Sequence, residues 1–475
     1  MDKRNWKIIY TNYSGMEKKA VEFLSAEVGK YILRDTGIYT LYVLACERLG
    51  AKIDKNVIIV GNYNENEEIK KHIRKEDVPT NGYAVKVMKN PENEELNMVL
   101  ITAFSEENLF YGAIHFVDDF LPSVAPVSGG LRTPKETFYH QLPDYFNTSE
   151  PTSKTRSIFT WGHPINNYRR YIENMARLKI NQLIIWNDFL PVNAKDVVEY
   201  AHEFKIEVIW GFAWGWGTDC SKIDFNELEI LKEDIVNKFK TYYIDSGDGI
   251  YFQSFTELHT DKIGDKLIAE AVTDFVNDVA GEIFKIKPDF KIQFGLHATS
   301  VKDHLEYIAE VDKRVEIIWE DCGVFPYHYL PKVEKEEFDK TMEFTDKILT
   351  LRNGEKAGVV YKGMMTMDWT KFSHQSGPYV MGMASDEIIE HDIKMLSPIW
   401  KSFQAEWMEC GKHILNMTRQ IISRYGENVN LCIAGALDGG IWFVPALCTE
   451  MMWNPTEDFE KIRERVAKRP CVKFV

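Results

Sequence analysis

The run Gly249-Ile250-Tyr251-Phe252-Gln253-Ser254-Phe255-Thr256-Glu257 is rich in strand formers and ends abruptly on a carboxylate. Aromatic neighbours such as Tyr251, Phe252 and Phe255 strip water from a carboxyl group and raise its pKa, which suits it to donate a proton near neutral pH. Other runs in the last two-thirds of the chain close in the same manner, on Trp161-Gly162-His163, Trp186-Asn187-Asp188, Trp214-Gly215-Trp216, His297, Trp319-Glu320-Asp321, Asp368-Trp369 and Trp442. Carboxylates ringed by tryptophans suit chemistry on a sugar. Cleaving a glycosidic bond takes one protonated carboxyl and one carboxylate facing it across the scissile bond. Glu257 is the expected acid, and Asp368, Glu320 or Asp321 the expected partner. A separation of about 5 to 5.5 Å would make that partner a nucleophile and roughly 6.5 to 9.5 Å a base, a choice that spacing along the chain leaves open. Trp161, Trp186, Trp214, Trp319, Trp369 and Trp442 offer flat apolar faces for pyranose C–H groups, with His163, Asn187, Asp188, His259 and His297 available for hydroxyls.

Each of these residues also has a plainer role open to it. A carboxylate at a strand end can cap the next helix, a tryptophan can fill core, and a histidine can be a satisfied buried polar group. Met364, Met365 and Met367 read as packing, because no carboxylate or histidine spacing around them makes a metal site. The charged run from Lys332 to Lys340 reads as the solvated start of a helix. No cofactor is implied.

The elements that must position these residues alternate regularly from Arg156 onward. Strands are expected near Ser157–Trp161, Gln182–Trp186, Glu207–Phe212, Gly249–Phe255, Lys291–Leu296, Val315–Trp319, Gly358–Met364 and Leu431–Ala436. Helical spacing fills the gaps between them, the stretch Ser385–Arg424 being long enough for two helices. Such alternation leaves a closed (β/α)8 TIM barrel or an open doubly wound sheet, and no Gly-rich phosphate loop follows the first strand to favour the open sheet. In a barrel the C-terminal strand ends converge on one face, where active sites gather.

Residues 1 to about 150 read as a small α/β domain and 156–475 as the barrel. Trp6–Asn12, Val57–Gly61, Gly82–Val87 and Met98–Ala103 have strand character, and Glu17–Leu33 and Glu107–Leu121 helical spacing, with Pro122 expected to end the second helix. From Pro122 to about Thr155 the chain lacks periodicity and reads as a linker. The formal net charge is −15, with acidic residues dispersed, and this argues against nucleic acid or an anionic membrane as the main partner, since either would need a basic stripe. No stretch approaches the roughly 20 apolar residues that span a bilayer, and the seven cysteines are scattered with no C-x-x-C pair. A cytoplasmic protein with reduced thiols is expected.

Several segments support a resemblance. Gly162-His163-Pro164 and the stretch from Ile172 to Lys179-Ile180-Asn181 resemble the opening barrel segment of family 20 glycoside hydrolases, the β-N-acetylhexosaminidases. The ending from Pro445 to Pro455, with Glu450-Met451-Met452-Trp453 inside it, resembles that family's closing helix. Val57–Gly61, Asn81-Gly82-Tyr83 and Phe110-Tyr111-Gly112-Ala113 are similar to the small domain preceding the barrel in family 20 hexosaminidases and family 67 α-glucuronidases. The resemblance implies a glycosidase with Glu257 as proton donor. It departs from the family where Thr256 stands in place of the acetamide-orienting Asp, where Thr366-Met367-Asp368 keeps the aspartate of a Tyr-x-Asp and loses the tyrosine, where Trp442-Phe443 lacks a glutamate, and where an arginine is missing near Trp161. The expected activity is exo-acting removal of a terminal hexoside or hexosaminide from a carbohydrate substrate. A uronic-acid-removing enzyme like the α-glucuronidases and a catalytically silent, glycan-binding barrel are the rivals.

Overall fold

A computed structural model of the chain describes residues 6–32, 44–125, 127–128, 131–132, 137–138, 141–160, 164–187, 189–214, 224–256, 258, 260–322, 335–361 and 377–475. The chain divides into two compact units, Met1–Pro151 with Glu460–Val472, and Thr152–Phe459 with Lys473–Val475.

The first unit is built on a six-stranded sheet. Its strands are β1 (Trp6–Tyr10), β2 (Ala45–Arg48), β3 (Asn56–Asn62), β4 (Tyr83–Asn90), β5 (Asn93–Ala103) and β6 (Tyr145–Ser149), in the order β2-β1-β3-β5-β4-β6. The first four in that order run parallel, and β4 pairs antiparallel with both β5 and β6. Val57 to Val60 are fully buried, as a strand covered on both faces requires. Helix α1 (Gly15–Ile32) and helix α2 (Glu106–His115) flank the sheet, α2 beginning where Ser105 accepts from the Asn108 amide. Two expectations fail here. Strand β6 lies in the stretch read as linker, and Pro122 does not end a helix: the helical backbone runs on through a π-helical turn at Phe116–Phe120 and past Pro122 to Val124.

The start of α1 carries a pH-dependent contact. Glu17 is buried, and its Oε1 accepts from the Thr11 amide at 2.8 Å and the Asn12 amide at 2.6 Å. Burial pushes its carboxyl up to about 7, against those two bonds, with the charges of Glu65 and Glu106 adding to the rise. A raised folded-state pKa stabilises the fold below the unfolded value of about 4.3, and that contribution is lost as pH rises through about 7. Glu17→Gln keeps the accepting oxygen and removes the charge. Denaturation of the full chain should therefore match wild type at pH 4 and show the variant more stable by at most about 3 kcal/mol at pH 9.

The second unit is a closed barrel of eight parallel strands: β7 (Arg156–Phe159), β8 (Gln182–Ile185), β9 (Glu207–Gly211), β10 (Gly249–Gln253), β11 (Lys291–Leu296), β12 (Glu316–Cys322), β13 (Ala357–Tyr361) and β14 (Asn430–Ala434). The sequence order is the spatial order, and β14 closes on β7. This is the expected (β/α)8 barrel. Around it lie α3 (Tyr168–Arg177), α4 (Ala194–His202), α5 (Leu228–Lys238), α6 (Ile268–Ile286), α7 (Lys335–Thr350), α8 (Asp386–Tyr425) and α9 (Phe443–Trp453). Helix α8 is one helix of 40 residues where two were expected, running through Pro398. Its buried Trp400, Trp407, Ile414 and Leu415 supply burial that outweighs the roughly 3 kcal/mol a proline costs inside a helix. No described helix is long and apolar enough to cross a membrane.

Candidate active site

Strand alternation divides the barrel side chains into an inner and an outer set. Inward from β8 point Gln182, Ile184 and then Trp186; from β10 Tyr251 and Gln253; from β12 Glu316, Ile318 and Glu320. The N-terminal layer is polar. The Gln182 Oε1 accepts from Ser157, Asn430 and Gln293 at 2.9, 2.9 and 3.0 Å, and Gln293 also donates to Glu316 at 2.7 Å. Burial raises the Glu316 carboxyl, with the Gln293 bond opposing. Above this lies an apolar layer of Phe159, Ile184, Ile209, Ile318, Val360 and Cys432, all fully buried. Each such aliphatic or aromatic side chain stabilises the fold by roughly 1.5–3 kcal/mol.

The C-terminal layer holds a fully buried carboxylate. Glu320, near the end of β12, accepts from Tyr251 Oη of β10, from Gln253 Nε2 of β10 at 2.6 Å to each oxygen, and lies 2.6 Å from His297 Nε2, just past β11. The amide nitrogen of Gln253 is also 3.2 Å from His297 Nε2. Gly295 makes this possible, since a Cβ there would overlap Tyr251 Oη and Glu320 Oε1. Sequence reasoning missed Tyr251, Gln253 and Gly295 as parts of a site. The signal was available: counting in twos along β10 puts Tyr251 and Gln253 on one face.

Counting in twos also sorts the tryptophans. Trp186 lies in the barrel interior, stacked at 6.4 Å on Phe159. Trp319 follows the opposite parity from Glu320. Its indole donates to Thr345 of α7 at 3.0 Å and its ring meets Phe344, so it packs between wall and helix and offers no face to the barrel mouth. Trp214 is fully buried on the outer side, stacked at 3.7 Å on Phe252 and edge-on to Phe275 of α6. Phe252 stacks in turn on Phe294, and Phe255 packs on Phe275, so of the three aromatic residues expected to surround Glu257 only Tyr251 faces the interior. Trp442 is the N-cap residue before α9 and meets Trp400 of α8 at 5.0 Å, and Asn187 donates to Tyr379 Oη at 2.9 Å. Trp319→Phe is expected to leave turnover unchanged and to cost roughly 1–3 kcal/mol in denaturation, through the lost bond and volume.

Glu257, Asp368, Trp161, His163, Asp188, His259 and Trp369 lie outside the described residues, as does the side chain of Asp321. The backbone beside position 257 is tied down. Ser300 bonds through N and Oγ to the Thr256 carbonyl at 3.0 and 2.9 Å, and its Oγ reaches the Leu258 carbonyl at 2.8 Å. Among the described residues no group of three His, Cys, Asp or Glu side chains could hold a metal ion.

No protein-family model matches the chain, and no curated protein matches it. Among solved structures it is similar to CpGH84B, with a TM-score of 0.50 and 14% identity over 97% of this chain and 70% of that one. CpGH84D gives 0.48 and 11%, over 97% and 68%. BtGH115A, a family GH115 4-O-methyl-α-glucuronidase with specificity for decorated arabinogalactans, gives 0.45 and 13%, over 94% and 56%. At 14% identity the likeness to CpGH84B is one of fold alone.

Proposed function

We propose that the chain is an exo-acting glycoside hydrolase that removes a terminal hexoside or hexosaminide, with Glu257 as general acid. The observation that carries this reading is the cluster of Glu320, Gln253, His297 and Tyr251. A fully buried carboxylate is costly, and this one stands at the C-terminal end of a barrel strand, where barrel enzymes hold their chemistry. The likeness in fold to CpGH84B supports it. The hexosaminide preference rests on the family 20 segments in the sequence, while the solved structures named above carry family numbers 84 and 115. The opposing carboxylate is sought among Asp368, Asp321 and Glu320, and Trp186, Asn187, His297 and Trp442 are the described candidates for sugar contacts. Action in the cytoplasm belongs to the same reading, which rests on the scattered cysteines of the sequence, and cell fractionation tests it.

The test is a screen of the purified protein on chromogenic β-N-acetylglucosaminide, β-glucoside, β-galactoside and glucuronide, with Glu257→Gln alongside. Turnover of the hexosaminide or of either hexoside supports the proposal when the variant loses far more activity on the matching alkyl glycoside than on the chromogenic one. Turnover of glucuronide alone would move it to the α-glucuronidase-like rival, and none on any glycoside would favour the silent barrel.

A further inference from the structure

We infer that Glu320 is a positioning residue for His297 and not the carboxylate that faces Glu257; the inference rests on the glycosidase reading for its substrate contact. A carboxylate that attacks a sugar or activates a water must present a lone pair to the substrate. Glu320 is 0% exposed, and three protein donors from β10 and the end of β11 converge on its two oxygens. Of the four clustered side chains His297 keeps the most surface, 7% against 0% for Tyr251, 2% for Gln253 and 0% for Glu320.

With Glu320 ionised, its contact with His297 assigns the imidazole proton to Nε2. Its Nε2 faces a carboxylate oxygen at 2.6 Å, and two lone pairs at that distance would repel, so Nε2 is the donor. The amide nitrogen of Gln253, 3.2 Å away, is itself a donor and bonds the carboxylate. In a neutral imidazole the lone pair then sits on Nδ1. Glu320 thereby makes His297 an acceptor at Nδ1, suited to a sugar hydroxyl whose hydrogen bond strengthens as the ring flattens in the transition state. Glu320 plays the part that a carboxylate plays behind many functional histidines: it selects the tautomer and holds the ring plane.

Long-range proton–nitrogen spectra of the full chain labelled with 15N-histidine read the tautomer directly, with His297→Gln assigning the signal. The expected result is Nε2–H in wild type at neutral pH. Glu320→Gln should disturb that signal and lower kcat/KM by on the order of 10²-fold, mostly in kcat, while both limbs of the pH profile persist. Glu320→Asp should recover part of the loss. An Nδ1–H tautomer in wild type overturns the inference, as does a Glu320→Gln profile that loses its acidic limb, which would make Glu320 the opposing carboxylate. A wild-type chain that turns over no glycoside sinks the glycosidase reading and the hydroxyl contact with it. The wild-type spectrum, which depends on neither turnover nor the folding of Glu320 variants, still decides the tautomer.

Discussion

Gly295→Ala is expected to destabilise the barrel by roughly 1–3 kcal/mol or more and to lower kcat/KM on the order of 10²-fold. Gly295 sits on the inner face of β11 between β10 and β12, and an added Cβ would overlap Tyr251 Oη and Glu320 Oε1. Neither atom can withdraw cheaply. Tyr251 and Glu320 are fully buried on strands whose registers with β11 are fixed by backbone hydrogen bonds. Relief must come from breaking the contact between them, which frees a carboxylate oxygen in a dry interior and lets His297 turn. The control is the same substitution elsewhere. A Cβ at Gly281 in helix α6 meets nothing within 4 Å, so Gly281→Ala should stabilise by about 0.5–1 kcal/mol through helix propensity. Chemical denaturation of the two variants should give opposite signs. Equal effects would mean that the cluster around Glu320 yields easily and is no preorganised site.

Glu320 and Trp319 show how far the sequence could be read. Eight apolar runs closed by polar or aromatic residues were legible as barrel strands, because each strand of a parallel barrel is buried on both faces. Which side chain at a strand end turns inward is a matter of parity. Counting from Ile318 in the apolar layer puts Glu320 inside and Trp319 outside, as the Thr345 bond bears out for the latter. Read as an undivided triplet, Trp319-Glu320-Asp321 hides that difference. The polar strand Tyr145–Ser149 escaped for another reason. At the sheet edge it is only half buried, so it carries no apolar run, and its pairing with β4 is a long-range contact that local periodicity cannot register. Gly295 was equally silent, since the need for hydrogen at that position comes from side chains on two other strands.

Glu257→Gln should lower turnover by about 10²–10⁴-fold on substrates with alkyl leaving groups, the range that general acid catalysis supplies. The size of the loss should depend on the leaving group. An alkoxide is too basic to depart unprotonated, whereas a nitrophenolate leaves with little help, so the same variant should retain far more activity on nitrophenyl glycosides in the bond-breaking step. A nucleophile would behave differently, because its loss stops both substrate types alike. The pH profile gives a second readout: an acid must be protonated to act, so wild-type kcat/KM should fall as pH rises through its pKa, and that alkaline limb should vanish in the variant while the acidic limb, set by the opposing carboxylate, stays. Ser300 bonds to the carbonyls of Thr256 and Leu258, the neighbours of position 257, and denaturation of the variant beside wild type separates folding from chemistry. A variant that loses nitrophenyl and alkyl substrates equally would therefore move Glu257 from acid to nucleophile, and the search for the proton donor would pass to Asp368 and Asp321.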